Sequence, residues 1–167
     1  MNPCRCGNFG LPGQECSRAP KCAEEYRARI SGPLLDRIDI QIEVPAVSPW
    51  DLADVRPGES SDEIRKRVIA AREIQKKRFA AFGCPSLLTN SQLKGELLEQ
   101  AAALDNEAKA LLLSYADRTA MSARAYHRTL RLARTIADLQ NENKLLRIHI
   151  AEALSLRWKT PDYKSRR

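Results

Sequence analysis

Residues 30–45 read ISGPLLDRIDIQIEVP. A Gly-Pro turn gives way to an apolar pair and then to strict alternation. Ile38, Ile40, Ile42 and Val44 fall at one parity, with Asp39, Gln41 and Glu43 at the other. Successive side chains of an extended chain point to opposite faces, so this pattern predicts a half-buried strand. Arg37 stands where the turn becomes the strand. A strand needs partners for its row of backbone donors and acceptors. The rest of the chain offers almost none, because everything beyond residue 60 reads as helix. The strand is therefore expected to be the last one of a sheet whose other members lie elsewhere. On this reading the chain is the C-terminal part of something larger.

Composition narrows the class. The 167 residues are 43% hydrophobic and 29% charged, which allows a folded core. Aromatics are only 5%, which suits Leu/Ala helices better than a β sandwich. The net charge of +7 permits partners that carry phosphate without requiring them. No apolar run approaches the roughly 20 residues of a membrane span, and the opening MNPCRCGNFG lacks the apolar middle of a signal peptide. A cytoplasmic protein is expected, in which the five cysteines are reduced thiols or metal ligands rather than disulfides.

Four of those cysteines, Cys4, Cys6, Cys16 and Cys22, are spaced C-x-C-x9-C-x5-C in a segment rich in Gly and Pro. Such a loop buries too little apolar surface to order itself. Four thiolates around one structural zinc ion would supply the missing free energy. The alternative is four reduced cysteines in a flexible loop, or adventitious disulfides in a purified sample. Cys84, in an FGCP turn, reads as a plain thiol, and His127 and His149 read as packing or surface residues on helices.

Beyond this loop and strand, residues 46–60 carry two prolines and a glycine without periodicity and read as a linker. Ser60 and Glu63 form a capping-box pattern for a first long helix. Ile64, Val68, Ala71 and Ile74 are expected on its buried side, opposite a basic face, with a stop near Gly83. A second helix after Asn90 carries Leu93, Leu97 and Leu98 and is weakened by Gly95. Asp105 caps a third, with Ala108, Leu111, Leu112 and Tyr115. Ser122 caps a fourth, whose apolar side includes Tyr126, Leu130, Leu132, Ala133, Ile136, Ala137 and Leu139. Arg124, Arg128 and Arg131 form a basic ridge opposite it. Arg124 lies in the first turn, where the helix dipole disfavours a cation. A fifth helix runs from about Leu145 to Trp158, followed by a basic tail at 159–167.

Three motifs in one order, NPCRCG, ISGPLLDRIDI and SARAYHRTLRLARTIADL, resemble the Mg-chelatase-like AAA+ ATPases of bacteria, the ComM-type competence group. The resemblance implies a mainly α chain. It would be the C-terminal helical lid domain (61–158) of an AAA+ ATPase, preceded by the last strand and cysteine-rich loop (1–45) of a truncated α/β core. It implies ATP and Mg²⁺ as cofactors of the parent protein, a homo-oligomeric ring, by expectation a hexamer, and DNA branch migration in recombination. By position, Asn2 matches the sensor-1 residue, Arg37 the arginine finger and Arg124 the sensor-2 arginine. Phosphoryl transfer builds charge on phosphate oxygens, which a positioned guanidinium stabilises.

The departures from the family pattern are equally specific. No G-x-x-x-x-G-K-[ST] or acidic Mg²⁺-binding segment is present, so the chain by itself is expected not to hydrolyse ATP and to need the upstream half of the core. Relatives often carry a second C-x-C, whereas here position 18 is Arg18 and the fourth thiol is Cys22. The competing reading is a stand-alone, zinc-containing helical module that binds nucleic acid without enzymatic activity. A porphyrin-chelatase subunit is a weaker third possibility, because no porphyrin pocket is legible.

Overall fold

A computed structural model describes residues 4–9, 13, 16–42, 44, 47, 50, 52 and 57–157. Asn2, Trp158 and the tail at 159–167 lie outside the described residues, as does most of the expected linker. The chain divides into two compact units, one of residues 1–38 and 43–55, the other of 39–42 and 56–167.

In the first unit, helix α1 spans Lys21–Arg27 and the single-turn helix α2 spans Gly32–Leu35. Its small core consists of Cys4, Cys22 and Ala23, with Phe9 and Cys16 packed against them.

The second unit holds helices α3 (Ser61–Ala81), α4 (Gly95–Ala101), α5 (Asn106–Thr119), α6 (Ala123–Leu139) and α7 (Arg147–Ser155), with a 3-10 turn at Asn90–Gln92. Local signals place the ends as the sequence predicts. Ser60 Oγ accepts from the Glu63 N–H while Glu63 reaches back to the Ser60 N–H, completing the capping box of α3. Asp105 and Ser122 cap α5 and α6 by accepting from the N–H groups of Ala108 and Ala125. Helix α3 closes in a Schellman motif. Gly83 is left-handed at φ 70°, its N–H donates to Ala80 O, and that of Cys84 donates to Phe79 O.

α6 organises the unit, packing against α3, α4, α7 and the 3-10 turn. Ala133 and Ala137 are fully buried, and such small side chains let neighbouring helices approach closely. Around them lie Phe79, Leu93, Leu98, Leu112, Leu130, Ile136, Leu145, Ile150 and Leu154. The mostly helical fold is as expected.

Three details differ from the sequence reading. First, the alternating segment forms no strand, and among the described residues there is none; the only bridge joins Leu104 to Leu145. Ile38, Ile40, Ile42 and Val44 are 41%, 50%, 68% and 76% exposed. The Gln41 N–H donates to Leu156 O at 2.7 Å, but that one bond does not replace a ladder. Second, Ile64 and Val68 are exposed, and α3 buries Ala71, Gln75 and Phe79 instead. Only the C-terminal half of α3 reaches the core, and its first ten residues are not buried by any of the described residues. Third, the second helix splits: a 3-10 turn precedes α4, and Gly95 takes φ 51° at the junction.

Candidate functional site

The chain's chemistry-bearing residues fall into two groups. In the first unit, Ser31 O accepts from the N–H groups of Leu34 and Leu35, closing α2. The N–H groups of Arg37 and Ile38 then donate to Leu34 O and Leu35 O, each at 3.0 Å. Arg37 is thus held in a rigid turn with its side chain exposed.

The four cysteines converge in the same unit. The sulfurs of Cys4, Cys6 and Cys22 lie within 4.8 Å of one another, with 3.1 Å between those of Cys4 and Cys6. Cys4 and Cys22 are buried, Cys16 is half-buried and Cys6 is exposed. A hydrogen bond from the Arg18 backbone, then those from Cys22 and Cys6, hold the Cys16 thiol below its ordinary range. Burial first, and the neighbouring thiols second, push the Cys22 thiol up to about 12. The two thiols are thus shifted in opposite directions within one cluster.

In the second unit, Arg124 lies exposed in the first turn of α6, two residues beyond its Ser122 cap. The other two arginines of the ridge bond within the unit. Arg128 pairs with Asp39 at 2.6 Å, and Arg131 Nε donates to Leu93 O at 2.9 Å. No ion pair to Arg124 occurs among the described residues. A cleft of about 250 Å³ beside this turn is lined by Glu99, Lys109, Tyr126, His127 and Leu130, among others.

The largest feature that the sequence did not disclose is a buried polar hub on Asp138. Arg78 donates to both of its carboxylate oxygens. Arg134 Nε donates at 3.0 Å, Asn90 Nδ2 at 2.7 Å and Gln75 Nε2 at 3.3 Å. Arg134 also donates to the carbonyls of Asn143 and Glu142, beyond the end of α6. Burial lowers its pKa, opposed by the Asp138 charge beside it. The only available signal was the i, i+4 spacing of Arg134 and Asp138 on the apolar side of α6. The hub locks α3, α6 and the 3-10 turn together, and so fixes the helix that carries Arg124.

Comparison with known proteins agrees with this architecture. The signature of the magnesium chelatase subunit ChlI C-terminal domain matches residues 58–157, and that of magnesium chelatase subunit ChlI matches residues 1–52. The chain is 35% identical over 158 residues to the competence protein ComM of Haemophilus influenzae, covering 94% of this chain and 29% of that protein. It is 36% identical to the uncharacterized protein YifB of Escherichia coli over 94% of this chain and 29% of that one. It is 34% identical to the uncharacterized protein Mb2921c of Mycobacterium bovis, over 93% and 30%. The chain thus spans less than a third of the length of these curated relatives. Helix content, motif order and both signature matches converge: the chain belongs to the magnesium chelatase ChlI family, and its residues 58–157 are the family's C-terminal helical domain.

Proposed function

We propose that this chain is the C-terminal segment of a ring-forming AAA+ ATPase of the ComM type, which contributes arginines to ATP bound between subunits. Residues 1–45 are the end of the ATPase core, 46–60 a linker, 61–158 the lid and 159–167 a basic tail. Arg37 is the arginine finger, Arg124 the sensor-2 arginine and Asn2 the sensor-1 residue. The upstream half of the core supplies the phosphate cradle and the Mg²⁺ carboxylates. The assembled protein is a cytoplasmic homo-oligomeric ring, a hexamer, that acts on DNA in recombination. Among the described residues, no helix is long and apolar enough to cross a membrane.

The observation that carries this reading is Arg124, exposed in the first turn of α6. A cation there opposes the helix dipole unless an anion joins it. A phosphate would satisfy both the guanidinium and the free N–H groups of that turn. The exposed row of Ile38, Ile40, Ile42 and Val44 supports the same reading, because an upstream sheet would cover it. The cysteine loop fits a structural zinc ion, since clustered soft thiolates suit that metal; Cys4, Cys6, Cys16 and Cys22 would hold it.

Co-expression with the upstream half of the core tests the assignment. Arg37→Ala and Arg124→Ala are each expected to lower ATP turnover by about 10³-fold or more, whereas Arg65→Ala leaves it near wild type. Wild-type turnover in Arg37→Ala would remove the finger.

One observation favours a second reading. Lys66, Arg72, Lys76 and Lys77 stand exposed on α3, as a nucleic-acid-binding module would need. Tight binding of DNA by this chain alone, falling steeply with salt, would establish it.

A further inference from the structure

The first unit has an unusual core. Among the described residues, its buried side chains are Cys4, Cys22 and Ala23, joined by the half-buried Phe9 and Cys16, with no leucine, isoleucine or valine in that cluster. A unit of this size buries only a modest share of its surface and is marginal on apolar burial alone, the more so when few large apolar side chains are inside. We propose that one zinc ion bound by Cys4, Cys6, Cys16 and Cys22 is the core of residues 4–38, so that the segment presenting Arg37 folds only with metal while residues 57–157 fold without it. The importance of Arg37 rests on the ATPase reading; the metal site itself does not.

The backbone prepares the site. Gly7, at φ 82°, turns the chain so that its N–H donates to Cys4 O at 3.1 Å. This tight turn at CRCG holds Cys4 and Cys6 with their sulfurs adjacent. Cys22 is delivered by α1, where its own N–H donates to Arg18 O at 3.0 Å. Cys16 approaches from the intervening loop, and the Ala19 N–H donates to Cys16 O at 2.8 Å. A Zn–S bond of about 2.3 Å places tetrahedral sulfurs roughly 3.8 Å apart. The spread of 3.1 to 4.8 Å between the three nearest sulfurs brackets that value.

Binding is a ligand exchange without redox change. Four thiols release their protons to solvent and four Zn–S bonds form. Because the ion joins four points across 19 residues of chain, from Cys4 to Cys22, its binding free energy becomes folding free energy for this unit. The second unit has a separate apolar core and a satisfied polar hub, and depends on no such ion.

Elemental analysis of the full chain, purified with reducing agent, is expected to find about one zinc per chain. Cobalt exchanged into the site should show the visible bands of tetrahedral thiolate coordination. Cys16→Ser should lower zinc affinity at least tenfold, whereas Cys84→Ser leaves it unchanged. Hydrogen exchange with and without chelator reads the folding claim. Amides of residues 16–38 should lose protection when zinc is removed, while those of α5, α6 and α7 keep theirs. A chain that holds no metal and takes up none, iron in place of zinc, or equal protection in both states would overturn the proposal. These measurements use no nucleotide, so their failure is distinct from failure of the ATPase assignment.

Discussion

Arg134 and Asp138 lie one turn apart on α6, buried to 1% exposure each, with Arg134 Nε 3.0 Å from Asp138 Oδ1. Their charges are not the whole of the arrangement. Arg78 from α3 and Asn90 from the 3-10 turn complete the carboxylate's shell, so one aspartate ties three elements. Asp138→Ala should destabilise the full chain by about 3–5 kcal/mol, because it leaves two guanidinium groups without their buried counter-charge. Denaturant midpoints measure this, and a loss under 1 kcal/mol would mean that the hub is not a clamp. Replacing Arg134 and Asp138 together by Met and Leu should cost less than the single change.

His149 makes folding sensitive to mild acid. Its Nδ1 accepts from the Leu146 N–H, and its Nε2 meets Gln140 Oε1, each at 3.0 Å. Burial holds its pKa below 6.5, Arg134 adds to that, and Glu142, Glu152 and Asp105 oppose it. The folded state therefore binds the proton less well than the unfolded chain. The sign follows: this contribution is complete above pH 6.5 and is lost as pH falls from there through the lower folded value. Stability measured across that range should decline with acid, and His149→Gln should flatten the decline.

Ala120 ends α5 in the left-handed conformation, at φ 48°. The Met121 N–H donates to Ala116 O at 2.9 Å, which is the Schellman pattern that favours glycine. Ala120→Gly should raise stability by roughly 0.5–1 kcal/mol, since a β-carbon is disfavoured there. A thermal midpoint at or below wild type would refute this.

The two halves of α3 should respond very differently to substitution. Phe79 is fully buried, so Phe79→Ala should cost about 3–5 kcal/mol. Ile64 and Val68 are 44% and 45% exposed, so Ile64→Ser or Val68→Ser should change the stability of this chain by no more than about 0.5 kcal/mol. Equal losses in both halves would mean that the exposed half is covered in solution.

Much was legible from short-range signals. Ser60, Asp105 and Ser122 cap the helices they were expected to cap, because a side-chain oxygen reaches an N–H only two or three residues away. The apolar side of α6 followed from its period, and Leu130, Ala133, Ile136 and Ala137 are buried. Leu139 is 47% exposed, on the side of the helix where Leu132 and Thr135 are also only half-buried. The cysteines were marked by composition, and three of them, Cys4, Cys6 and Cys22, lie together in space.

Tertiary structure alone decided the rest. Which face of α3 is buried depends on where α6 lies, and Asp138 meets Arg78 across 60 positions of chain. Period and capping are local quantities and carry no record of such distant partners. The alternating segment at 38–44 shows the converse limit. Its pattern states what the residues would do beside another strand, but a ladder needs two strands, and here a second is not among the described residues.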